Sequence, residues 1–122
     1  MRLFDFLFGK KSPPPKEMDK MPPIYGGDGT TAKTAATINC AAMTTAHHLI
    51  DRFISERHGQ KGTDWKRGIE FFVNEPGIPE FTVRAFAVTT TSGEHHTYYF
   101  NVARPMNATK KLMKMMGQIP GG

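Results

Sequence analysis

Residues 44–59 read TTAHHLIDRFISERHG. Ala46, Leu49, Ile50, Phe53 and Ile54 recur at the three- and four-residue spacing that gathers them into one stripe of a helix. Thr44 or Thr45 can cap its start by accepting from a free backbone N–H, and Gly59 after Arg57 and His58 is a C-terminal stop. A helix whose only apolar stripe is this one needs a sheet or a second helix to cover it.

The chain that follows supplies the sheet. Trp65–Asn74 (WKRGIEFFVN) alternates, which places Trp65, Ile69, Phe71 and Val73 on one face. Glu75-Pro76-Gly77 is a turn. Glu80–Thr90 (EFTVRAFAVTT) is apolar on both faces and is the best candidate for a central strand. After the turn at Ser92-Gly93, His95–Ala103 puts His96, Tyr98, Phe100 and Val102 on one side and Tyr99 on the other. Upstream, Thr34–Cys40 (TAATINC) reads as a first strand, with Ala36, Ile38 and Cys40 facing inward. It can lie beside the second or the fourth strand, and spacing alone does not choose. Asn107–Met116 reads as a closing helix, capped by Asn107, ended by Gly117 and docked through Ala108, Leu112 and Met115 or Met116. The predicted fold is α+β in the order β-α-β-β-β-(α), an antiparallel three- to four-stranded sheet packed on one main helix.

Organisation follows from composition. Ser12–Pro23 (SPPPKEMDKMPP) has five prolines in twelve residues, which excludes helix and central strand and marks a linker. Before it, residues 1–11 read MRLFDFLFGKK. On a helical wheel Leu3, Phe4, Phe6, Leu7 and Phe8 share one arc, with Lys10 and Lys11 beside them. Asp5 interrupts the apolar run and no small-residue cleavage site follows, which argues against a secretory signal. The segment suits an anchor for a membrane surface or a partner protein. The expected units are 1–11 amphipathic segment, 12–23 linker, 24–106 single α+β domain, and 107–122 basic helix and tail.

The chain has 122 residues and a net charge of +5. Residues 1–22 hold five basic and three acidic residues, residues 107–122 hold three lysines and no acid, and the stretch between is neutral. Any acidic partner should therefore depend on the two ends. One cysteine excludes an internal disulfide framework and a multi-Cys zinc site. No apolar run approaches the roughly 20 residues that span a bilayer.

Chemistry-bearing patterns are sparse. Gly26–Thr30 (GGDGT) resembles the phosphate-binding signature of NAD kinases and diacylglycerol kinases, but Pro22-Pro23-Ile24-Tyr25 stands where such a loop needs a buried strand. It reads instead as a glycine turn with Asp28 bonding nearby backbone N–H groups. His47 and Asp51 lie four apart on the main helix and His58 lies on the same flank, a pattern read as solvated polar side chains. His95 and His96 are neighbours on a strand and face opposite sides. Trp65, Phe71, Phe81, Tyr98 and Phe100 fall mostly on core-facing positions. No acid, base and nucleophile converge, so an enzyme is disfavoured and no cofactor or metal is implied.

Two resemblances add to this. Tyr25–Gly29 (YGGDG), Ile38-Asn39, His58-Gly59, Gly62–Trp65 (GTDW) and Tyr98–Val102 (YYFNV) are similar to motifs of a family of small uncharacterised bacterial α+β proteins. That similarity implies a compact α+β domain in a bacterial cell and no site residues. The α-β-β-β-α order from Thr44, Pro79–Val83 (PEFTV) and the lysines Lys110, Lys111 and Lys114 resemble the double-stranded RNA-binding domain. There the lysines would grip phosphates. The reading is therefore a non-enzymatic interaction domain with an apolar N-terminal anchor. It would be cytoplasmic and peripheral on the inner membrane face where the anchor meets lipid. RNA binding through the three lysines is the alternative, and self-association through the anchor or an open sheet edge is compatible with either.

Overall fold

The computed structural model describes residues 20–115. Strand β1 (Ile24–Gly26) is followed by β2 (Ala36–Ile38), helix α1 (Met43–His58), β3 (Trp65–Phe72), β4 (Val83–Thr90), β5 (His95–Asn101) and helix α2 (Ala103–Met115). These elements form a small α+β domain whose five strands are ordered β1-β2-β5-β4-β3. The consecutive strands β3, β4 and β5 pair antiparallel, as short connections dictate. Strand β2 lies beside β5 and parallel to it, and β1 pairs antiparallel with β2.

The sheet is thus mixed and five-stranded, where an antiparallel sheet of three or four strands was expected. The chain leaves β2, crosses through α1 and two further strands, and returns in β5 running the same way. That long route permits a parallel pair. The extra strand, β1, comes from Ile24-Tyr25-Gly26, directly after Pro22-Pro23. Proline is tolerated just ahead of a strand on the sheet edge, where one row of N–H groups has no ladder to join. Strand β4 is interior, but the middle of the sheet is β5.

Helix α1 buries the predicted stripe: Ala46, Ile50, Phe53 and Ile54 are buried and Leu49 packs against them half-buried. They meet Ala36, Ile38, Phe86, Val88, Tyr98 and Phe100 on one sheet face. Phe53 sits edge-on to Tyr98 and Phe100, with ring centroids 5.9 and 5.0 Å apart. On the opposite face Val73, Val83 and Ala85 form a smaller cluster with Ala32, Ala35, Ile78 and Tyr99. The start of α1 differs from expectation. Its N-cap is Ala42, with no side-chain cap bond, so Thr44 and Thr45 lie inside the first turn. Cys40 is half-buried against the core, and its thiol donates to the Ala42 carbonyl at 3.3 Å.

The far end of α1 is fastened by a short lock. Gly59 ends the helix at φ 104°, the left-handed side of backbone space that favours glycine. A Cβ there would stand 2.3 Å from Asp64 Oδ2. Asp64 accepts from the Gln60 N–H at 2.7 Å, and the Trp65 indole N–H donates to the Gly59 carbonyl at 2.8 Å. A second glycine contact closes the loop before β2. Gly29, at φ 79°, is buried against Phe53, and its carbonyl accepts from the Tyr99 N–H at 2.8 Å.

Strict alternation fails in β3. The register against β4 shifts between Arg67 and Glu70, a bulge that moves every later side chain to the other face. Trp65 is buried, whereas Ile69 and Phe71, expected beside it, are 72% and 50% exposed. Phe81 is also outside the core, at 62% exposure and φ 59°. Helix α2 begins at Ala103, whose N–H donates to Asn101 Oδ1 at 3.0 Å, rather than at an Asn107 cap.

Candidate functional site

Four places on the described residues hold polar or apolar groups in arrangements that bear on function. The first lies where α1 crosses β3. Alternation from the buried Trp65 puts Arg67 on the helix side, and its Nε and Nη2 reach Asp51 Oδ1 at 2.9 and 2.7 Å. Lys61 Nζ holds the other carboxylate oxygen at 2.9 Å. Arg67 Nη1 lies 3.2 Å from His47 Nδ1, and since a guanidinium only donates, that nitrogen accepts. The next pair outward is Arg84 with Glu70 at 3.0 Å. The two guanidiniums stack over Phe86 and Phe72, 4.9 and 4.5 Å from the ring centroids.

Burial first, and the Arg67 charge second, push the His47 pKa down and keep the ring neutral. Burial also pushes the Asp51 carboxyl up, but the bonds and charges of Lys61 and Arg67 outweigh it and hold it below its ordinary value. With both oxygens engaged by cations, Asp51 is a locked carboxylate, suited to holding α1 on β3 and poorly suited to accepting a substrate proton. His47 and Asp51 therefore meet Arg67 and not open water. Alternation already set Arg67 on the face of Trp65; the signal the sequence lacked is the bulge, which brings Glu70 to that face beside it, and the crossing of α1 over β3.

The second place is at the other end of α1. His58 Nε2 and the Tyr98 hydroxyl are 2.6 Å apart, and the His58 and His96 rings lie 4.6 Å apart. His96 Nε2 is 3.1 Å from Glu94 Oε1. Burial, then the neighbouring His96, depresses the His58 pKa, while burial raises that of Tyr98. Among the described residues no three His, Cys, Asp or Glu side chains are grouped to hold a metal ion.

The third is an open cleft of about 340 Å³ between β1 and the outer side of α1. Pro23, Tyr25, Arg52, Phe53 and Arg57 line it. Arg57 lies flat on Phe53, 3.5 Å from the ring centroid, and donates to the Phe53 carbonyl at 3.0 Å. Directly after the cleft residues of the β1 stretch, Asp28 accepts from the Thr30 N–H and hydroxyl at 3.0 and 2.9 Å, the local turn expected of GGDGT.

The fourth is α2. Its root is fixed: Pro105 is buried, Met106 packs on the core, and Arg104 donates to Asn39 Oδ1. From Lys110 onward every described side chain is exposed. Lys110, Lys111 and Lys114 are exposed as expected of a phosphate- or lipid-facing cluster. Leu112 and Met115, expected to dock on the domain, are 56% and 74% exposed. The cause is the early start: α2 meets the body with its first turn and leaves nothing beneath its last two. The anchor candidates Leu3, Phe4, Phe6, Leu7, Phe8, Lys10 and Lys11 lie outside the described residues.

The motif residues have structural tasks. Gly29, Asp64, Trp65, Tyr98 and Phe100 each serve the loop, helix-end or core contacts above. No helix among the described residues is long and apolar enough to cross a membrane. No protein-family model, curated protein or solved structure matches the chain.

Proposed function

We propose that this chain is a non-enzymatic interaction domain that attaches to an anionic membrane surface. The apolar residues Leu3, Phe4, Phe6, Leu7 and Phe8 insert, and Lys10 and Lys11 meet headgroups. The proline-rich stretch 12–23 spaces this anchor from the folded body. The supporting observation is the contrast in charge use. The partly buried ions of the body, Asp51, Arg67 and Arg84, are paired within it, Arg84 with the exposed Glu70, while the lysines beyond residue 107 are exposed. The interaction reading needs surface groups that are free to meet a target, and the three α2 lysines are exposed, as Lys33, Arg52 and Lys66 are on the body. Attachment through one short apolar segment is reversible.

Flotation with vesicles tests the proposal. The full chain should rise with vesicles containing phosphatidylserine, and a chain lacking residues 1–11 should rise much less. Equal flotation of both would remove the anchor. Capture by a protein partner with no lipid binding would move the anchor's target from membrane to protein.

A second reading, duplex-RNA binding through Lys110, Lys111 and Lys114, is favoured by the order α1-β3-β4-β5-α2 and by the exposure of all three lysines. Replacing them with glutamine should then lower duplex affinity and flatten its salt dependence.

A further inference from the structure

We propose that the last two turns of α2 are a second membrane contact, lying in the plane of the same anionic surface that the N-terminal anchor enters; this rests on the membrane reading above. Ala108, Leu112 and Met115 follow one helical arc, at spacings of four and three residues, while Met113 falls outside it, towards Lys110. Lys110, Lys111 and Lys114 occupy the opposite arc and the borders of the apolar one. Leu112 and Met115 are more than half exposed, and Met113 is 42% exposed. The body leaves Leu112 and Met115 of this stripe exposed: α2 is held to it through Pro105 and Met106, with Ala108 half-buried.

Charge decides the occupant. Residues 107–122 carry three lysines and no acid. An interfacial helix sinks its apolar arc to the acyl boundary and lets flanking lysines reach up to anionic headgroups. Leu112, Met115 and the three lysines are then engaged at once. Duplex RNA would engage the lysines and leave Leu112 and Met115 in water. The fixed root matters as well. Because Asn101 caps α2 and Pro105 buries its first turn, the helix is presented already formed, and the surface need not supply the cost of folding it. Two contacts joined by a folded body raise the effective concentration of each for the membrane, so a pair of weak contacts binds more tightly than either alone.

The test measures partition of the full chain onto vesicles of phosphatidylcholine with about 30% phosphatidylserine, where each near-surface lysine contributes appreciable attraction. Leu112→Asn with Met115→Asn should weaken binding roughly ten-fold through lost apolar insertion. Lys110→Gln, Lys111→Gln and Lys114→Gln together should weaken it roughly ten- to hundred-fold, and the difference should shrink when salt screens the headgroups. These side chains are exposed, so circular dichroism and melting should match the parent chain. Met115→Asn alone is the milder variant if the pair disturbs the helix.

The chain lacking residues 1–11 separates the two proposals. It should keep weak, salt-sensitive binding that Leu112→Asn with Met115→Asn abolishes. If the α2 variants bind like the parent while the deletion abolishes binding, this inference is overturned and the anchor stands. If the deletion changes nothing and the α2 variants abolish binding, α2 is the contact and the anchor falls. Flotation of no form overturns both. Loss of duplex-RNA binding in the lysine variant, with vesicle binding unchanged, overturns this inference in favour of RNA.

Discussion

Helices α1 and α2 carry similar stripes and meet opposite fates. In α1 the apolar side chains Ala46, Ile50, Phe53 and Ile54 are all buried, and the polar flank is tied down by Asp51 with Arg67 and Lys61. In α2 only Pro105 is buried, and the stripe that continues through Leu112 and Met115 is more than half exposed at both. A stripe is evidence of a partner surface, and the two helices differ in where that surface is. For α1 it is the sheet of the same chain. For α2 the proposed surface lies outside the molecule.

Substitutions can break this contrast. Ile50→Ala or Ile54→Ala should destabilise the fold by about 2–5 kcal/mol, since each removes a fully buried side chain and leaves a cavity. Chemical denaturation of the variant and parent measures it. Leu112→Ala should move stability by no more than about 0.5 kcal/mol, as for other exposed sites. Similar losses from both would mean that α2 packs on the body after all.

Gly59→Ala should cost about 1–3 kcal/mol, because a Cβ is strained at φ 104° and meets Asp64 Oδ2. A thermal melt reads this as a clear drop in Tm. Asp51→Asn should cost about 1–2 kcal/mol, between the values for exposed and buried pairs. It leaves the half-buried Arg67 without its nearest anion, with Glu70 at 3.9 Å, which should loosen α1 on β3 and leave α2 untouched.

The smallest effect is in pH. Burial and His96 hold the folded pKa of His58 below its unfolded value of about 6.5. The fold therefore favours the neutral ring. Its contribution is present above about pH 6.5 and is lost as pH falls from there through the depressed folded value. His58→Gln should flatten the stability profile in that interval, measured by denaturation at a series of pH values. An unchanged slope would mean that the Tyr98 contact does not depend on the neutral ring.

The contrast also marks how far the residues alone could be read. The α1 stripe was legible because Ala46 to Ile54 repeat with helical spacing, and the three strands after it because their turns carry Pro-Gly or Ser-Gly. Trp65, Tyr98 and Phe100 are in the core as alternation required. Ile69 and Phe71 are not, because the strand bulges after Arg67; the isolated Gly68 inside the strand pattern is the mark of that bulge, and strict alternation overlooked it. The parallel pairing of β2 with β5 was equally hidden, since two non-local neighbours satisfied the same pattern. Strand β1 is three residues long, too short to show a period. The early start of α2 depends on Asn101, which alternation had assigned to the strand alone. Of the candidate site groups, the lysines were legible as a run, while Arg67 as the hub of an ion network required the crossing of α1 in three dimensions, and Glu70 beside it required the bulge.

Amide hydrogen exchange of the full chain, free and on phosphatidylserine-containing vesicles, tests the central claim most directly. Slowed exchange at residues 1–11 and 108–115, with α1 and β5 unchanged, is the predicted result. New protection confined to the body, at the cleft between β1 and α1 or at the Asp51–Arg67 network, would contradict it.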